Sequence, residues 1–135
     1  MSPDAIVQKM MDHDGFSQWL GIQVIEVGLG YCKLIMSINK DMLNGFGYAH
    51  GGIAYSLADS CFAFASNSYG TQAVSIETSI NHLKPVSNGD TLIAIATEMN
   101  RTRKTGLYLI TITNQNDDKV AIFKGLVYHL DKTWE

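Results

Sequence analysis

HGGIAYSLADSCFAFASNSYG, His50 to Gly70, is the stretch around which the rest of the chain must be arranged. Ile53, Tyr55, Leu57, Ala58, Cys61, Phe62 and Phe64 place apolar side chains on nearly every side of a helix. The spacing therefore predicts a buried helix over residues 53–66. One carboxylate, Asp59, sits at its middle. Aspartate is a poor interior helix former, and burying it unpaired costs several kcal/mol or forces it to take up a proton. In a purely structural role its oxygens would accept from near donors such as Ser56 and Ser60. A chemical role requires an electrophilic site close by.

Outward from this helix, the chain reads as strands. Ser2-Pro3-Asp4 is a helix start, with a capping hydroxyl, a proline at the first position and an acid in the first turn. It predicts a short helix through Met11, followed by a turn around Phe16–Leu20. Val24, Val27, Leu34, Met36 and Ile38 fall at strand spacing around Gly28-Leu29-Gly30. A glycine-rich loop from Asn44 to Gly52 leads into the apolar helix. Beyond it, 73–83, 91–100, 107–114 and 120–130 read as four antiparallel strands, the last two a hairpin around Gln115-Asn116-Asp117-Asp118. The first of them stops at Lys84-Pro85. The fold class is α+β. A sheet covers one side of an all-apolar helix, so a second layer or a partner subunit is expected on the rest.

The 135 residues suit a single domain spanning 1–135, with 1–20 as an N-terminal helical segment. A net charge of −3 argues against a nucleic-acid partner. Cys32 and Cys61 show no metal-ligand or disulfide spacing, so no metal or cofactor is expected and both read as buried small hydrophobes. No signal peptide or membrane span is evident, which makes the cytoplasm the default location.

His50-Gly51-Gly52 opens the helix, so its free N–H groups carry the positive end of the helix dipole. Glycine lets a ligand approach that backbone. Such donors suit the negative charge that develops on a carbonyl oxygen under attack, and a carboxylate completes the chemistry of acyl transfer. Gly51 and Asp59 are eight residues apart, about 12 Å along a helix. One helix cannot bring its own two groups together, whereas two helices packed antiparallel about a two-fold axis can. Function and dimer are thus one expectation.

These residues resemble a known family. LNGFGYAHGGIAYSLADSCFAFASNSYG (43–70) is similar to the signature of hotdog-fold acyl-CoA thioesterases, in the branch associated with phenylacetate degradation. WLGIQVIEVGLGYCKLIMSI (19–38), NHLKPVSNGDTL (81–92) and VAIFKGLVYHL (120–130) extend the likeness over roughly residues 16–130. The resemblance implies a curved antiparallel sheet wrapped around a long central helix, paired as a homodimer and often again as a dimer of dimers. It implies Asp59 as the catalytic carboxylate, attacking directly or activating water, and the Gly51 amide as the group that polarises the thioester carbonyl. Asn44 and His50 would line the site. Lys84, Arg101, Arg103 and Lys104 are the cations that would meet the phosphates of CoA, while His13, His82 and His129 are expected to be structural. The implied substrate is a small aryl-acyl-CoA such as phenylacetyl-CoA or hydroxyphenylacetyl-CoA. A medium-chain thioesterase, a hotdog enoyl-CoA hydratase and a non-catalytic acyl-CoA sensor are the competing readings.

Overall fold

A computed structural model describes residues 1–135. In chain order the elements are α1 (Pro3–Asp12), α2 (Gly15–Trp19), β1 (Gln23–Gly28), β2 (Tyr31–Ser37), a 3-10 turn (Lys40–Met42), α3 (Gly51–Asn67), β3 (Thr71–His82), β4 (Thr91–Arg101), β5 (Thr105–Thr113) and β6 (Lys119–Thr133). The six strands form one antiparallel sheet in the order β1-β2-β4-β5-β6-β3, and α3 lies across one face.

Strict alternation sets which side chains meet the helix. Cys32, Leu34 and Met36 of β2, Leu92, Ala94 and Ala96 of β4, and Tyr108, Ile110 and Ile112 of β5 are all buried. Against them α3 buries Leu57, Ala58, Cys61, Phe62, Phe64 and Ala65. Phe62 anchors the packing: its ring lies 5.6 Å from that of Phe123 and 6.0 Å from that of Tyr108, centroid to centroid. It fits because Gly125 opposite has no side chain. A Cβ there would stand 2.6 Å from Phe62 Cζ.

The expected helix starts two residues earlier, at Gly51, because His50 supplies the cap, and it runs to Asn67. β6 continues past the expected Leu130 to Thr133, since Thr71 pairs with Thr133 at the start of β3. The expected hairpin turn is held by Asn114, whose Oδ1 accepts from the N–H groups of Asn116 (3.0 Å) and Asp118 (3.1 Å).

A partial second layer comes from the N-terminal helices. α1 buries Ile6 and Val7, and α2 bonds to α3 through the hydroxyls of Ser17 and Ser60, 2.7 Å apart. Beside Gly51, Ile53 and Tyr55, which are partly covered in the first turns of α3, an open stripe runs at spacings of four, three and four residues through Gly52, Ser56, Asp59 and Ala63, none of them buried. The outer edge of β3 also has no partner strand, and Val74 (44%) and Ile76 (56%) are exposed along it. No helix is long and apolar enough to cross a membrane.

Candidate active site

His50 caps α3 by accepting the Gly52 N–H at Nδ1, 3.0 Å away. That bond puts the proton of the neutral ring on Nε2. The Gly51 N–H, at the first helical position, has no acceptor in the chain. It is therefore an oriented donor at the positive end of a 17-residue helix. The glycine itself has a further reason. An added Cβ would stand 3.2 Å from His82 Nε2, so the Nε2 end of the imidazole of β3's last residue packs close against this backbone. His82, expected to be structural, thus shares a wall with Gly51. Nothing local in the sequence reports this, because the two residues are joined only by the fold.

Asn44 shapes the loop before the helix. Its Oδ1 accepts from the N–H groups of Phe46 (2.9 Å) and Tyr48 (3.3 Å), and its own N–H donates to the Tyr48 carbonyl (2.7 Å). The turn passes through Gly47 at φ 83°, where a side chain would be strained. The Ala49 and His50 N–H groups then tie the loop to Val86 and Met42. The result is a cleft of about 450 Å³ at the helix start, lined by Asn44, Phe46, Tyr48, Gly51, His82 and Lys84 among others.

Asp59 lies outside that cleft, two turns along the open stripe. The serines expected to serve it are engaged elsewhere: Ser56 Oγ donates to the Gly52 carbonyl at 2.6 Å, and Ser60 Oγ pairs with Ser17 Oγ. Its half-buried carboxylate therefore has no donor within the chain. Burial first, and then the negative charge of Asp14, hold its pKa above the ordinary 3.8. Asp14 caps α2, accepting from the Ser17 N–H (2.9 Å) and from Ser17 Oγ (2.6 Å). This chain of bonds from Asp14 to Ser60 is invisible in the sequence, because 43 residues separate the two serines.

The four cations expected at one entrance are divided between the two ends of α3, about 25 Å apart within a chain. Lys84 sits at the start, beside the cleft, with Nζ 2.6 Å from Asp118 Oδ2. That ammonium holds the exposed Asp118 carboxyl below its usual range. Arg101 lies past the other end, its guanidinium 3.7 Å from the centre of the Tyr69 ring. Arg103 and Lys104 follow in the β4–β5 turn, where their carbonyls accept from His129 Nδ1 (3.0 Å) and the His129 N–H (2.8 Å). One chain therefore gathers Asn44, His50, Gly51 and Lys84 at the helix start, holds Asp59 midway, and leaves the arginines at the far end.

Comparison with known proteins bears on this arrangement. Residues 46–121, more than half the chain, match the thioesterase superfamily. The chain is 39% identical over 124 residues to the acyl-coenzyme A thioesterase PaaI of Escherichia coli, covering 92% of this chain and 89% of that protein. The solved structure of the E. coli PaaI protein from the phenylacetic acid degradation operon superposes with a TM-score of 0.95 at 37% identity, covering 97% of this chain and 95% of that one. A Streptococcus mutans protein solved with acetyl CoA bound superposes with a TM-score of 0.80 at 29% identity, over 83% of this chain and 90% of its own. The curved antiparallel sheet with its central helix is the hotdog architecture of these structures.

Proposed function

The chain belongs to the thioesterase superfamily, in its PaaI-like hotdog branch, and we propose that it hydrolyses small aryl-acyl-CoA esters at a site that two subunits share around Asp59. The observation that carries this reading is the unpartnered, half-buried Asp59 carboxylate on an open stripe of α3. A carboxylate made more basic by its surroundings is suited to take a proton from water. The water oxygen joins the acyl carbon, the C–S bond breaks, and the sulfur leaves as the thiol of CoA once protonated. The Gly51 N–H is the donor for the oxygen that becomes negative during attack.

Two features support a shared site. Gly51 and Asp59 of one α3 stand too far apart to act on one carbonyl. The free edge of β3, 12 residues long and carrying exposed Val74 and Ile76, invites a second copy of itself. Antiparallel β3–β3 pairing about a two-fold axis lays the His82 end of one strand toward the Thr71 end of the other. α3 runs between the same two ends, with Gly51 beside His82 and Asn67 bonded to Ala73. The start of one α3 is then turned toward the later part of the other, and Asp59 toward the partner's Gly51. Lys84, beside that cleft, is the cation placed to meet a CoA phosphate.

Thiol release from phenylacetyl-, hydroxyphenylacetyl-, benzoyl-, hexanoyl- and palmitoyl-CoA, with Asp59→Asn alongside, tests this. The expected result is turnover highest on the arylacetyl esters, falling about 100-fold or more in the variant. Equal rates in the two proteins would remove Asp59 from the chemistry.

A further inference from the structure

The first turn of α3 leaves a carbonyl oxygen a single donor. The Gly52 N–H is engaged by His50 Nδ1 (3.0 Å) and the Ile53 N–H by the His50 carbonyl (2.8 Å), so only the Gly51 N–H is free. An oxygen that gains a full negative charge has lone pairs for a second donor. The side chain beside Gly51 is His82. We propose that His82 Nε2–H is that second donor, so that one backbone group and one side chain of the same protomer hold the thioester oxygen. The proposal rests on the Gly51 N–H being the first donor.

The sheet supplies the placement. The register of β3 is regular from Glu77 to His82, so Thr78, Ile80 and His82 share a face. The hydroxyls of Thr78 and Tyr55 of α3 are hydrogen-bonded, and Ile80 packs on the core, so that face is turned to the helix. Backbone bonds fix the strand end: His82 lies opposite Ala121 of β6, and the Leu83 N–H donates to the Val120 carbonyl (2.9 Å). The three atoms nearest to a Cβ built on Gly51 all belong to the His82 ring, Nε2 first at 3.2 Å. Such a Cβ stands roughly 2.5 Å from its own nitrogen, which puts Nε2 at most about 5.7 Å from the Gly51 nitrogen. One oxygen accepting two bonds of about 2.9 Å spans that gap.

His82 is also the uncommitted imidazole. His13, His50 and His129 each engage Nδ1, whereas His82 bonds to nothing in the chain and lines the cleft with Asn44, Tyr48 and Lys84. Lys84 Nζ is held by Asp118. Nε2 is therefore free to carry the ring proton and direct it at a ligand. As the water oxygen adds to the acyl carbon, the C=O π pair moves onto oxygen and the His82 N–H···O bond strengthens without passing its proton. The pair returns as the C–S bond breaks.

The test uses a ketone analogue of phenylacetyl-CoA, with CH2 in place of sulfur and a carbon-13 carbonyl, on the wild type, His82→Phe and His82→Gln. Phe keeps a flat ring and removes the donor, and Gln restores an N–H near the Nε2 position. Difference infrared spectra of the bound ketone are expected to show the carbonyl band lowered in the wild type and moved part-way back in His82→Phe. With phenylacetyl-CoA, kcat of His82→Phe is expected to fall about tenfold or more, with KM and melting temperature little changed. His82→Gln is expected to recover most of both signals. A ketone band unmoved by His82→Phe, or a Gln variant no better than the Phe variant, would overturn the proposal. The infrared band reads the donors to the carbonyl without turnover, so it stands apart from Asp59→Asn, which tests the catalytic carboxylate.

Discussion

Asp59 carries its charge where the chain does least to support it. Its pKa is raised, so the folded chain holds that proton more tightly than the unfolded chain does. The sign of the linkage follows. The ionised carboxylate weakens the fold at neutral pH, the penalty fades as pH falls through the raised pKa, and it vanishes below the unfolded value near 3.8. Asp59→Asn is therefore expected to melt higher than the wild type at pH 7 while losing turnover. The two melting curves should converge as pH is lowered toward 4 or below, which scanning calorimetry across pH would read. Stability gained as activity is lost marks a residue kept for chemistry, and a lower melting temperature for the variant at pH 7 would mark a structural acid. The wild-type kcat/KM should also fall on the acid side at a pH above the ordinary carboxylate value, as the base becomes protonated.

At the scale of elements, the join between helix and sheet is tightest where Phe62 meets Gly125. A methyl group at Gly125 would lie 2.6 to 2.8 Å from three atoms of the Phe62 ring. Gly125→Ala is expected to destabilise by about 1–3 kcal/mol through overpacking, and chemical denaturation would show it. Asp14→Ala removes the cap of α2 and its link to Ser60, at a cost of about 1 kcal/mol, whereas Asp14→Asn keeps an acceptor and should recover most of it. Regular elements were legible in the sequence because their signals are local. Apolar spacing marked α3, alternation marked the strands, and Ser2-Pro3-Asp4 marked the start of α1. Long-range placement was not legible: no pattern joins Ser17 to Ser60 or His82 to Gly51, and none shows that Ser56 turns back to Gly52 and away from Asp59. The basic residues misled for the same reason. Their chemistry was plain, but the sheet order that sends Lys84 and Arg101 to opposite ends of α3 is a property of the whole fold.

The whole molecule leaves two surfaces unfinished, the edge of β3 and the stripe of α3 that carries Asp59. In the proposed dimer, a second copy across β3 would complete both. Ile76→Glu would put two like charges near the two-fold axis of that pairing. It is expected to shift the protein toward monomer in analytical ultracentrifugation and to lower turnover in step with the loss of dimer. A monomer with full activity would separate catalysis from assembly.

The most direct measurement of the shared site is complementation between two inactive variants. Gly51→Pro removes the N–H at a position where proline suits a helix, while adding a Cβ 3.2 Å from the yielding tip of the His82 side chain, and His50, at φ −57° and ψ 139°, already has the backbone a following proline requires. Asp59→Asn removes the carboxylate. Each variant alone should be inactive. A mixed dimer keeps one site in which an intact Asp59 faces the intact Gly51 of the other chain, so subunit exchange of equal amounts should restore roughly a quarter of wild-type activity. A mixture as inactive as its parents would contradict a site built by two chains.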